Sequence, residues 1–336
     1  MPRRIEVSAP GRANLVGNPS DQYGGCTLAC SVPLRARVVL DGSEPGRIAS
    51  AGLSGPAGSA PAADGPEPRE DEALGLGRAV LRALGLERPP FSVSYGSEIP
   101  RQSGMAGSTA LVVALVHAVD TWFGRARSRS QLAETAREIE ARGMGIQCGF
   151  VDQYACSHGG LRHVDLRGKS FEECDPAPFA TVEDLGADVS ALPFWLAYTG
   201  VRHSSDGVHR PLRARWLARE AAVVDGYERI AQLGVLGKSA LQRGDWAALG
   251  ACMNENHAIQ RDLGGSGESN ERLIAAARKA GALGAKLAGA GDGGTIVALW
   301  TAADAAPLEA ALRGAGAAAL FRPAIVRGVS VDRDIG

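Results

Sequence analysis

The sequence has little that would staple it, anchor it or draw it to a polyanion. Its 336 residues hold six cysteines, at 26, 30, 148, 156, 174 and 252, and none forms a Cys-x-x-Cys pair. No cysteine–histidine cluster has zinc spacing, so free thiols in a reducing compartment are expected. No apolar run approaches the ~20 residues needed to cross a bilayer. The basic opening MPRRIEVSAP is not followed by an apolar stretch, so no secretory leader is expected and the expected location is cytoplasmic. Charge is balanced, 36 basic residues against 37 acidic, with a formal net charge of -1. That balance argues against nucleic acid or an anionic membrane as the main partner. Lysine occurs only four times, which makes each one easy to inspect.

What is present is enough chain for a sizeable core and for two medium domains. Apolar alternation predicts strands at 5–8, 14–16, 27–40, 91–95, 159–166, 194–198, 295–300 and 318–326. Helical spacing predicts helices at 73–84, 110–122, 130–142 (capped by Ser130), 211–233, 240–262 (broken near Gly244) and 270–280. Residues 42–71, rich in Gly, Pro, Ser and Ala, read as a long surface loop. The pattern weakens over 167–192, so the expected domains are 1–185 and 186–336. Strands and helices mix without regular alternation, which makes the class α+β.

Three segments carry polar chemistry. Gly104, Met105, Ala106, Gly107, Ser108 and Thr109 open the helix at 110. Small residues let a ligand approach the backbone, and the first-turn amides and helix dipole favour an anion. The hydroxyls of Ser108 and Thr109 can meet a phosphate or a hard cation. A Gly-rich turn with an ordinary serine cap is the alternative. The second segment, 286–294, matches G-x-G-x-x-G through Gly289, Gly291 and Gly294, but a strand follows it where a dinucleotide site needs a helix. It is expected to pack against another phosphate or catalytic loop. The third, 10–21, crowds Arg12, Asn18, Ser20 and Asp21 around a strand and the loop after it. These groups either read sugar hydroxyls beside a phosphate or cap a turn. Gly234 to Ser239 imitates a P-loop with the wrong spacing, so Lys238 is expected on the solvated surface.

The ordered set resembles the GHMP kinase superfamily: Pro10-Gly11-Arg12, then the loop at 104–109, then Gly289-Ala290-Gly291-Asp292-Gly293-Gly294. The stretch 149–154 with Gly159-Gly160 is similar to that holding the catalytic Asp in its sugar-kinase branch. Within that branch the glucuronokinase group is most alike, through 17–21, 99–102, 205–209 and 213–216. Gln153 departs from it, because the plant-type enzymes carry Arg after the catalytic Asp. Asp152-Gln153-Tyr154-Ala155 is more similar to galactokinases and heptose-phosphate kinases.

The resemblance implies a two-domain α+β fold with its active site in the cleft between the domains. It implies ATP and Mg²⁺, a monosaccharide acceptor, and a monomer or homodimer. By carry-over, Asp152 is the base and Arg12 its electrostatic partner. The segment 104–109, with Gly289 and Gly291, binds nucleotide. Thr109 or Ser108, with Glu140, holds the metal. Asn18, Ser20, Asp21, Arg101 and His209 contact the sugar. Arg210 and Arg213 are further candidates for a substrate carboxylate, and a solvated helix face is their alternative. The non-enzymatic alternative for the whole chain is a sugar-binding regulator on the same fold.

Overall fold

A computed structural model describes residues 2–50, 70–171, 179–186, 192–202 and 205–336, the side chains of 70–73 and 205–206 excepted. Cys174, most of the 42–71 loop and much of the 167–192 boundary lie outside them.

The first sheet is built from β1 (Arg4–Val16), β2 (Cys26–Asp41), β3 (Ile48–Ser50), β4 (Ser92–Ser97), β5 (Leu161–Asp165) and β6 (Thr181–Asp184). Four further strands, β7 (Phe194–Tyr198), β8 (Gly284–Leu287), β9 (Thr295–Leu299) and β10 (Ala319–Phe321), make a second sheet in the order β10-β7-β9-β8. The last strand, β11 (Ser330–Ile335), returns to pair antiparallel with β1. A division at 185/186 therefore fails for β11, which completes the first sheet. Strand order there is β11-β1-β2-β4-β3, with β5 on β2 and β6 on β5. β1 and β2 are long and almost wholly buried in their inner halves. Their register slips between Pro10 and Arg12. Proline has no N–H to give the ladder, so an irregularity there is expected.

The helices are α1 (Glu70–Ala83), α2 (Gly107–Trp122), α3 (Arg129–Glu138), α4 (Val151–His158), α5 (Ser205–Leu217), α6 (Ala221–Gln242), α7 (Trp246–Asp262), α8 (Glu268–Ala280) and α9 (Ala306–Gly314). α2 is apolar on nearly every face, as a helix packed against β1 and β2 must be. α8 and α9 bury Leu273, Ile274, Leu308 and Leu312 on the second sheet. One core runs through both sheets, from Leu15 and Val112 to Leu196, Leu249 and Val297. Among the described residues no helix is long and apolar enough to cross a membrane.

Several expectations need correction. The helix expected at 211–233 is two helices: α5 begins at Ser205 with Pro211 inside it, and the chain turns at Arg219, whose φ is 55°. Ser128, not Ser130, caps α3, in a reciprocal capping box with Gln131. The helix end expected at 142 is a π turn, Ile139–Gly143. The strand expected at 318–326 is cut to β10, while β3 and β6 arise where no strand was expected. Lys238 is paired with Glu183 of β6 and is largely shielded. The helix break near Gly244 and the strand 194–198 lie where the pattern put them.

Candidate active site

β1 delivers Arg12, which is only 5% exposed. Its guanidinium forms a two-pronged pair with Asp152: Nε donates to Oδ1 at 2.7 Å and Nη2 to Oδ2 at 2.6 Å. Nη1 donates to the Gly104 carbonyl, and the Arg12 amide donates to the Met105 carbonyl at 3.1 Å. One residue thus ties β1, α4 and the loop before α2 together. Such forked pairs fix geometry as well as charge. The Asp152 side chain keeps 30% of its surface open, so it can still meet a ligand.

The loop before α2 is tightly turned, with positive φ at Gln102 (54°), Gly104 (73°) and Ala106 (59°). An alanine in the left-handed region is strained by roughly 1 kcal/mol, and strain of this kind gathers at ligand clamps. The first-turn amides of α2 have no intrahelical acceptor and carry the positive end of its dipole. No cationic side chain lies between Gln102 and Thr109, so any anion there would be held by backbone. Ser108 is exposed at the start of this helix, whereas Thr109 is buried. Gly289 packs on the loop from the other side. A Cβ at Gly289 would lie 2.7 Å from the Gly104 carbonyl oxygen, which is why glycine stands there. Gly291 packs similarly on Gly265. Both glycines are buried, and Gly289 backs the loop before α2 while Gly291 lies against Gly265.

Thr109 and Glu140 meet. The Thr109 hydroxyl donates to Glu140 at 2.9 Å, and Gln153 Nε2 donates to the same carboxylate at 2.6 Å. Glu140 is 2% exposed, and burial pushes its carboxyl up to about 7, against the pull of the Gln153 and Thr109 donors. One carboxylate and one hydroxyl are hard oxygen donors, the set that Mg²⁺ uses when phosphates and water complete its shell. The residues therefore fit that ion. Among the described residues no group of three or more His, Cys, Asp or Glu is placed to cage a metal.

The loop after β1 behaves differently from expectation. Asn18 turns its side chain inward: Nδ2 donates to the Gly289 carbonyl at 3.2 Å, and Oδ1 accepts from Lys286 Nζ. Ser20 Oγ donates to the Gly17 carbonyl at 2.6 Å. Both are buried, and their side chains are engaged in bonds that brace the loop. Asp21 is the residue they position. Its Oδ2 accepts from the amides of Phe150 and Val151 at 2.9 and 3.1 Å, so it caps α4 from a distant part of the chain. Asp152 lies inside that helix's first turn and is not its cap. A Cβ on Gly149 would fall 1.9 Å from Asp21 Oδ2. Burial and the charge of Asp152 raise the Asp21 carboxyl above its usual range, and the two amides pull it back.

The remaining expected contacts are spread out. Arg101 is exposed on the loop, and His209 is half-buried on α5. Arg210 is exposed, while Arg213 stacks on the Phe171 ring at 3.7 Å. Beside it Tyr23, two residues after Asp21, stacks on Tyr227 with ring centres 4.4 Å apart and leans on Trp216 at 4.5 Å. Sequence reasoning passed over this aromatic cluster, since its members are dispersed along the chain. It also passed over Lys286 as an individual. Lys286 is 1% exposed with no carboxylate partner among the described residues, and burial, with the charge of Arg12 nearby, pushes its amine down to about 7. Its signal was visible: a scarce lysine set in an apolar, glycine-rich stretch.

Known proteins are similar to this chain in sequence and in fold. Glucuronokinase 1 of Arabidopsis thaliana is 29% identical over 219 residues, covering 64% of this chain and 58% of its own length. The match thus spans little more than half of that relative. Mevalonate kinase of Pyrococcus abyssi is 27% identical over 315 residues, 89% of each chain. The Lactococcus lactis galactokinase complexed with galactose superposes with a TM-score of 0.75 at 18% identity, covering 97% of this chain and 95% of that one. The family model for the GHMP kinases N terminal domain matches residues 73–160, which hold the loop before α2, Glu140 and Asp152. The model for the GHMP kinases C terminal domain matches 238–318, which hold Lys286 and the glycines that back that loop. With both halves matched in order, and the fold shared over nearly its whole length, the chain belongs to the GHMP kinase family.

Proposed function

We propose that this chain is a sugar kinase that transfers the γ-phosphoryl group of ATP to the anomeric hydroxyl of a monosaccharide, a uronic acid such as glucuronate. One observation carries the reading: Arg12 clamps Asp152 while bonding the carbonyl of Gly104, so a carboxylate base lies against an amide-lined loop. Transfer of this kind needs alignment and charge stabilisation more than covalent chemistry. The amides of 104–109 hold the triphosphate. Asp152 accepts the proton of the sugar hydroxyl as its oxygen bonds to the γ-phosphorus. The bond from that phosphorus to the β,γ-bridging oxygen breaks, and ADP leaves. Arg12 orients Asp152 through its two-pronged pair and counters charge on the phosphoryl group. Asp21, with one oxygen committed to α4, presents the other to sugar hydroxyls. Thr109 and Glu140 would hold Mg²⁺, which when bound neutralises phosphate charge.

The relatives named glucuronokinase support the uronate reading. Gln153 favours a second one, a galactokinase-like or heptose-phosphate kinase, because its amide holds Glu140 where the plant-type sequence would place a cation. ADP release measured over a panel of glucuronate, galactose and heptose phosphates separates the two. Turnover of galactose or a heptose phosphate, with glucuronate inert, removes the first. The Asp152→Asn variant should bind ATP as before and turn over roughly 10²–10⁴ times more slowly, the usual scale for a lost general base. Near-normal turnover would remove Asp152 from the mechanism. Sugar-dependent thermal stabilisation without any turnover would point to a sugar-binding regulator.

A further inference from the structure

A cavity of about 260 Å³ opens beside the candidate site. Its wall includes Arg137, Arg142, Arg213, Cys148, Phe150 and Phe171. Phe150 is the residue whose amide Asp21 holds, and Asp152 lies two positions further on. On the same wall Arg213 stacks on Phe171, and that ring meets Tyr23, two residues after Asp21, edge-on with ring centres 5.6 Å apart. Through Phe150 and through Phe171 with Tyr23, the cavity neighbours Asp21, beside which the acceptor sugar is proposed to lie. Arg137 and Arg142 lie outside the roles already described for the transfer.

The cations around the cavity are not equivalent. Glu134 also lines it, but that carboxylate accepts from the Tyr154 hydroxyl and faces Lys169 Nζ at 3.2 Å, so its charge is already met. Arg142 pairs with Glu138 at 3.0 Å, out in solvent. Arg137 differs. It is half-buried with its guanidinium 3.7 Å over the Phe150 ring, and it makes no ion pair with any described carboxylate. Its Nε is enclosed without an acceptor among the described residues. A buried donor on a cation is costly to leave unmet, and a planar fork suits carboxylate or phosphate oxygens. The cavity's size narrows the ligand. It holds the volume of roughly eight or nine waters at about 30 Å³ each and falls below the ~300 Å³ at which ligand pockets begin. It suits one end of a monosaccharide and is too small for a nucleotide.

We infer that this cavity is an acid-selecting extension of the acceptor site, in which Arg137 binds an anionic group, a carboxylate or a phosphate, carried by the sugar away from the hydroxyl that reacts. This rests on the sugar-kinase reading above. The substrate class is then an acidic monosaccharide, and Arg137 is a specificity residue.

The test compares wild type with Arg137→Met, which keeps an apolar stem on Phe150, and Arg137→Lys, which restores a charge without the fork. Each is given glucuronate and glucose, then galactose 6-phosphate and galactose, and kcat/KM is measured by ADP release. The expected result is a ratio of acid to neutral sugar that falls about 10- to 100-fold in Arg137→Met, the range for losing a charged hydrogen bond, and recovers in part in Arg137→Lys. A change confined to the glucuronate pair assigns the site to a carboxylate, and one confined to the phosphate pair assigns it to a phosphate. An unchanged ratio in both pairs overturns the inference, as does a wild type that prefers both neutral sugars. If no sugar is turned over, the kinase reading fails, and calorimetric binding of the same sugars still decides the inference. Binding of either acid that weakens in Arg137→Met supports it, and binding equal in both proteins or absent from both overturns it.

Discussion

Glu140→Gln tests whether the site holds a sealed carboxylate. Glu140 is enclosed, and burial lifts its carboxyl from 4.5 to about 7 although Gln153 and Thr109 donate to it. In the unfolded chain the same group ionises near 4.5. Between those values the native state keeps a proton that the unfolded state has released, so stability falls as pH rises through the window. The full cost is about 3 kcal/mol, an upper value taken from the two titration points at 1.36 kcal/mol per unit of pH. Glutamine keeps the shape and carries no charge. Its carbonyl can accept from Gln153, and its amino group can donate to Thr109 Oγ1. Urea unfolding of both proteins in chelator at pH 5, 6, 7 and 8 gives the comparison. The variant should gain on wild type steadily up to about pH 7, by about 3 kcal/mol or less, and then level off. Saturating Mg²⁺ with a non-hydrolysable ATP analogue at pH 8 should raise the wild-type midpoint more than that of the variant. A stability difference independent of pH would mean that Glu140 ionises as in water, and the account of a buried carboxylate awaiting a cation would be wrong.

Two further perturbations follow from the same geometry. Gly289→Ala puts a methyl group 2.7 Å from the Gly104 carbonyl oxygen, so it should cost about 1–3 kcal/mol of stability by overpacking. It should also raise KM for ATP more than KM for the sugar, and equal effects on both would argue against a loop shaped from behind. Lys286→Met removes an amine that burial holds near 7, against 10.5 in the unfolded chain. Between those values the unfolded state binds the extra proton. Wild-type stability should therefore rise between pH 7 and pH 10.5, and the variant, followed by urea unfolding, should lack that rise.

How much of this was legible depended on whether the signal was local. β7 reads directly from 194–198 because it is a short apolar run bounded by turn residues. The loop at 104–109 reads because small residues followed by an apolar helix leave few alternatives. β3 and β6 were illegible: each is a short, half-exposed edge strand, specified by pairing with β4 and β5 more than by its own pattern. The α5–α6 turn was hidden because Arg219 takes a left-handed conformation usually given to glycine, while Pro211 sits inside a helix it was expected to begin. The site shows the same divide. Arg12, Thr109, Glu140 and Asp152 were found by motif, and the fold brings them together. Asn18 and Ser20 were found by the same reasoning and turn inward. A polar residue near a site can serve the loop instead of the ligand, and only its partners, Gly289, Lys286 and Gly17, decide which.

The distribution of charge in the site has its own logic. The loop 102–109 has no lysine or arginine, so its pull on a triphosphate comes from amides and the α2 dipole. Directly behind that helix start sits Glu140, bonded to Thr109 of the first turn. A bare carboxylate there would repel the same phosphates that the amides attract. The arrangement is consistent only if the carboxylate is neutral while the site is empty and acquires a cation along with the nucleotide. A titration point raised to about 7 lets a proton meet the first condition only below that pH, and the hard oxygens of Thr109 and Glu140 suit the second. Arg12 does not neutralise that carboxylate, since its fork is committed to Asp152 and Gly104. Lys286 does not either, because its amine is turned to Asn18 and the Leu287 carbonyl. Both fixed cations hold the protein's own segments in register, so under the proposed function the cation that meets Glu140 arrives with the nucleotide.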